Sequence, residues 1–198
     1  MANTNAPFGF SPIGTTTMST PSFRMRTRLV ASTYGTAIYK GDAVMAVMNA
    51  DTGYIIKAAA GTQQLVGVFW GCKYLSVSQG RTVWSPYWPG SDASGDVSAL
   101  VIDDPNAEFV VQAGGTAIGL ASLNLNVALN VGTGNTTTGL SGMYVENPAN
   151  TSTLPFIITG FVQTPSGVNG TDITSAYNWV VVAFNNQYLH APQTSITA

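Results

Sequence analysis

The sequence predicts an all-β chain, a single β-sandwich or barrel-like domain with an extended N-terminal arm and little helix. Three observations point there. Short apolar segments of strand length recur about every 8–12 residues, with turn residues between them. Where a period is readable it is two, not 3.6. Asparagine, glycine and proline punctuate the segments that could otherwise be helical.

Residues 1–23 contain Pro7, Pro12 and Pro21, which deny the stretch a helix and remove ladder donors. They read as an extended arm with Phe8, Phe10 and Phe23 as anchors, on the chain's own domain or on a neighbour. The β-rich domain is assigned to residues 24–190 and a C-terminal tail to 191–198. Arg24-Met25-Arg26-Thr27-Arg28-Leu29-Val30 alternates strictly, so a strand puts Arg24, Arg26 and Arg28 on one face. Further strands are expected at 43–48, 54–57, 65–70 (ending at Gly71), 99–102 and 108–112. Pro155 places 154–162 at an edge or a strand start. Residues 179–184 are apolar on both faces, as a central strand requires. Within 116–131 the spacing predicts mostly strand, with a helical turn at 117–122. Residues 90–95, 132–139 and 147–153 read as loops.

Composition narrows function. Charged residues make up 8% of the 198, against about 25% in ordinary soluble domains, while 45% are hydrophobic. So little charge suits a chain that hides much of its surface in an assembly. The first 81 residues hold all seven bases and two acids, a formal +5; the rest hold seven acids and no lysine or arginine. That polarity argues against a nucleic-acid partner, which needs a broad basic face. It suits protomers stacking head to tail, or docking on a surface of opposite sign. No run of 18 apolar residues predicts a membrane span, and the first residues lack the basic and apolar regions of a secretory signal.

Chemistry-bearing residues are few. Cys72 is the one cysteine and reads as a small buried apolar group; His190 is the one histidine. One of each falls short of a zinc set, and nothing near His190 in sequence builds a nucleophilic triad. Asp103-Asp104 precede Pro105 and read as turn acids rather than a divalent-ion pair. The 132–139 glycine loop lacks the lysine and following helix of a phosphate cradle. No catalytic residue, cofactor or metal is assigned. The candidate partner-binding residues are Phe8, Phe10, Arg24, Arg26, Arg28, Trp84, Tyr87 and Trp88. The arginine stripe reads either as a solvated face or as a contact for a partner's carboxylates. Trp84, Tyr87 and Trp88, bracketed by Pro86 and Pro89, read as a core lid, a protein-gripping loop or a sugar platform.

Several segments, in this order, resemble the small capsid decoration (cement) proteins of tailed bacteriophages. They are Asn5-Ala6-Pro7-Phe8-Gly9-Phe10-Ser11-Pro12, Gly41-Asp42-Ala43-Val44, Val66-Gly67-Val68-Phe69, Val101-Ile102-Asp103-Asp104-Pro105-Asn106-Ala107-Glu108-Phe109, residues 132–142 and Asn178-Trp179-Val180-Val181-Val182. The likeness runs over residues 5–188 in short pieces; residues 84–89 and the tail fall outside it. It implies a virion structural protein made in the bacterial cytoplasm. Such a protein binds the major capsid protein on the outer shell surface and locks capsomers, with no small-molecule substrate. Closed symmetry favours a homodimer or homotrimer. Two other readings stand beside it: a carbohydrate-binding β-sandwich of an adhesin or fibre, using Trp84, Tyr87 and Trp88, and a hydrolase built on a clustered acid pair.

Overall fold

In a strand, successive side chains face opposite sides, and this chain turns its apolar positions into two buried layers. The computed structural model describes residues 2–16, 23–47, 53–164 and 169–189. Among them, twelve strands run in chain order: β1 Ser11–Thr15, β2 Met25–Val30, β3 Ala43–Ala46, β4 Ile55–Lys57, β5 Gly67–Ser76 and β6 Arg81–Ser85. There follow β7 Val97–Ile102, β8 Ala107–Gln112, β9 Asn126–Asn130, β10 Tyr144–Ala149, β11 Phe156–Phe161 and β12 Trp179–Phe184. A 3-10 turn at Leu120–Ser122 is the only helix among the described residues, within the predicted 117–122. None there is long and apolar enough to cross a membrane.

Two antiparallel sheets form a sandwich-like arrangement, as the alternation predicted. The first has the order β1-β8-β12-β11-β9-β10; the second has β2-β7-β5-β3-β4, with β6 pairing the far half of β5. β12 lies between β8 and β11, the central place its two-faced apolarity called for. Pro155 directly precedes β11, where its missing N–H costs no ladder bond.

The main core lies between the sheets. Phe10 stacks on Phe156 at 4.4 Å, Phe156 on Phe184 at 5.5 Å, and Phe109 meets Phe184 edge-on at 5.2 Å. Val68 and Ile102 of the second sheet belong to the same cluster. Each such side chain adds about 1.5–3 kcal/mol by leaving water. A second core fills the opposite face of the second sheet. That sheet curls until its outer strands touch at one bridge, Leu29 to Tyr54, without closing a barrel. Val44, Phe69, Cys72, Tyr74, Ala99 and Val101 face inward there, and Ile38 and Trp88 plug the concavity from connecting segments. Burial pushes the Cys72 thiol up to about 12, so it stays a protonated packing group.

Four sequence expectations need correction. The strand begun at 65–70 does not end at Gly71; a bulge between Phe69 and Gly71 lets β5 continue to Ser76. β6 and β10 form where the sequence predicts no strand: both are polar, largely exposed edge segments without a clear apolar alternation. For the same reason residues 147–149, read as loop, end β10. The arm is extended, but where its three prolines predict few ladder bonds Ser11–Thr15 pairs with β8 as the edge of the first sheet. Residues 17–22, His190 and the tail 191–198 lie outside the described residues.

Candidate functional site

The arm is tied to its own domain at every level. Buried Gln112 accepts the Ala6 N–H at 3.0 Å and donates to the Thr4 carbonyl at 2.9 Å. Asn3 accepts the Gly170 N–H and donates to the Asp172 and Ala176 carbonyls. Phe8 packs edge-on against Trp179 at 5.2 Å, while Phe10 is wholly buried. Phe10 is therefore a core residue and not a partner contact, and Phe8 is half-buried against this chain's own indole. Gly9 makes the turn between them possible. Its φ is +75°, and a Cβ there would sit 2.4 Å from Ser141 Cβ.

That crowding marks a joint. The Phe10 N–H donates to the Gly41 carbonyl at 2.9 Å, and next to Gly41 lies Asp42, fully buried. Asp42 accepts the Ser141 hydroxyl at 2.6 Å and the Tyr39 N–H at 2.8 Å, and its Oδ2 lies 3.1 Å from Lys57 Nζ. Ser141 in turn accepts the Met143 N–H at 2.9 Å. The Asn5–Pro12, Gly41–Val44 and 132–142 segments, which carried the resemblance, thus meet around one carboxylate that binds the two sheets together.

The arginine stripe also has an internal partner. Arg24 Nε lies 3.1 Å from Asp103 Oδ1, and Arg26 Nε and Arg28 Nη2 each lie 3.3 Å from Oδ2. Asp103 is fully buried; the arginine side chains are 43%, 49% and 35% exposed. The second acid of the pair does the turn work expected of both, Asp104 Oδ1 accepting the Asn106 N–H at 3.0 Å. Asp103 instead anchors three cations, leaving two positive charges in excess and Arg28 Nε without a partner among the described residues. The arginines are over a third exposed, so water and salt weaken the pairing. We expect Asp103→Asn to cost about 2 kcal/mol in urea unfolding, below the 3–5 kcal/mol of fully buried pairs. Arg26→Gln alone should cost under about 1 kcal/mol, since two guanidiniums remain.

The aromatic segment splits. Trp88 is the plug of the second core, its indole N–H donating to the Tyr34 carbonyl at 3.0 Å and its ring edge-on to Tyr74 at 5.1 Å. It is a core residue and cannot serve a surface platform. Tyr87 stacks on Tyr39 at 5.4 Å and is partly covered. Trp84 alone is open, at 69% exposure on β6, with Lys73 Nζ 5.1 Å from its ring. Cross-strand partners share a face. The register Trp84–Lys73–Ser98–Leu29 therefore sets Trp84 on the face of the second sheet turned away from its concavity, a face that packs on the first sheet at Val68 and Ile102 and is outward and open at Trp84. The arginines lie on the opposite face, alongside Val101 and Ala99. The structure does not bring the stripe and the tryptophan together. It does gather Met25, Leu29, Leu75 and Trp84, all exposed, on that outward face.

Two further acids serve local structure. Asp92 accepts the Ser76 hydroxyl and Ser78 N–H, which hold its carboxyl below the usual range; Asp172 is held at about 2 by the Thr174 and Ser175 hydroxyls. Among the described residues no three His, Cys, Asp or Glu side chains gather within reach of one ion. No family model matches this chain, and neither a curated protein nor a solved structure matches it.

Proposed function

We propose that the chain is a structural virion protein that binds the outer surface of a bacteriophage capsid and stabilises contacts between major capsid protein subunits. The observation that carries this reading is the outward face of the second sheet. Met25, Leu29, Leu75 and Trp84 stand exposed across β2, β5 and β6, with Lys73 the only base among them. Four large apolar side chains exposed on one sheet face, interleaved with Thr27, Ser98 and Lys73, suit a protein contact, and tryptophan is among the strongest interface anchors. The low charge content and the order of segments that resembles cement proteins support the same reading. The excess positive charge at Arg24, Arg26 and Arg28 offers a second contact, on another side, for carboxylates of a neighbouring subunit or of a second copy. Self-association as a dimer or trimer belongs to this proposal.

The test is binding to particles stripped of this chain. Trp84→Glu and Leu29→Glu alter exposed side chains and should leave the fold intact, yet lower capsid occupancy at least tenfold. Unchanged occupancy in both would show that this face is not the contact.

A further inference from the structure

Beside the arm, at one end of the first sheet, lies a half-open cleft of about 440 Å³ that the capsid reading does not use. Its floor is bare backbone, Gly114-Gly115 from the end of β8 and Gly132 from the loop after β9. Two tyrosines wall it. The Tyr144 ring edge lies 3.1 Å from where a Gly114 Cβ would be, and the Tyr177 hydroxyl 3.8 Å from the equivalent point on Gly115.

Three features set this cleft apart from other surface hollows. First, Tyr177 holds a left-handed backbone, φ +61°, which a bulky side chain rarely adopts. The conformation is fixed from both sides: its N–H donates to the Gly114 carbonyl, and its carbonyl accepts from Gln112 Nε2 at 3.2 Å. Strain so firmly held marks a position whose side-chain direction matters. Second, polar groups converge without internal partners. Neighbouring Asn3, Gln112 and Asn178 use both their amide nitrogen and oxygen within the chain. By contrast, the side chains of Asn5, Thr133, Tyr144 and Tyr177, all lining the cleft, form no hydrogen bond among the described residues. Third, its charge is one-sided. Glu146 lies beside Gly114, and none of the residues lining the cleft is a lysine or arginine.

Aromatic walls, free hydroxyls and amides, and no cation suit a ligand with apolar C–H faces and many neutral hydroxyls. We propose that this cleft binds a neutral saccharide of one or two sugar units, the tyrosine rings flanking a pyranose and the four free polar side chains bonding its hydroxyls. The site is distinct from the aromatic segment at 84–88 and does not depend on capsid binding.

The test is an amide-resonance titration of the full chain with cellobiose, lactose, maltose and N,N′-diacetylchitobiose, and separately with tri-arginine. At least one disaccharide should shift the Gly114, Gly115 and Gly132 amides saturably while leaving Gly80 and Gly95, on other loops, unmoved. Tyr177→Gly accepts the left-handed backbone and removes only the ring; it should weaken binding about tenfold, as should Tyr144→Ala, while Trp84→Ala should not. Tyr144→Phe keeps the packed ring and separates loss of the hydroxyl from loss of fold. No shift with any of the four sugars, or wild-type affinity in both ring-removal variants, would overturn the proposal. Shifts with tri-arginine alone would also overturn it, assigning the cleft to a basic peptide.

Discussion

Replacing Asp42 by Asn is expected to destabilise the chain by about 3 kcal/mol, because it strands the Lys57 ammonium in a site only 12% exposed. The loss is larger than at Asp103 for a physical reason. Lys57 cannot turn to water as the half-exposed arginines can, so its desolvation goes uncompensated. For a chain of this size the melting temperature should fall by about 6–12 °C. Asp42→Asn combined with Lys57→Met should recover part of that loss, since a neutral pair leaves no buried charge unpaired. A double-mutant cycle in urea measures this directly. Additive losses at the two positions would mean that the pair is not coupled.

Trp88→Ala should cost about 3–5 kcal/mol, and Trp84→Ala, four residues away, less than about 0.5 kcal/mol. The first empties the plug of the second core, removes an edge-on contact with Tyr74 and orphans the Tyr34 carbonyl. The second removes a ring that is mostly in solvent. Equilibrium denaturation of the two variants side by side decides it. Equal effects would show that residues 84–88 act as one unit, which the burial contradicts.

Much of the fold was legible because it depends on local pattern. Strict alternation marked β2, the two-faced apolar run marked β12, and Pro155 marked the start of β11. What sequence could not show was pairing at long range. Asp103 reads as a turn acid because its neighbours are Asp104 and Pro105, yet its partners Arg28 and Arg24 lie 75 and 79 residues away, on β2 and just before it. Nothing beside Asp42 in sequence marks its role either, which depends on Ser141, 99 residues on. Trp88 and Trp84 are indistinguishable by type. Only the register of β6 on β5, and the curl of the second sheet, send one inward and the other out. The cleft at Tyr144 and Tyr177 left a faint sequence trace in Gly114-Gly115, which reads first as a strand stop.

The same geometry changes what an arm deletion can report. Removing residues 1–23 would take away Phe10 and the edge strand β1, so lost capsid binding would follow from a broken first sheet whether or not the arm touches the shell. Point changes on the outward face avoid that confusion.

The most direct test of the structural reading is an image reconstruction of intact particles containing this chain. The account predicts ordered copies of the two-sheet domain on the outer shell, with Leu29, Leu75 and Trp84 turned against major capsid protein subunits. A shell without this chain, or copies with that face open to solvent, would contradict it.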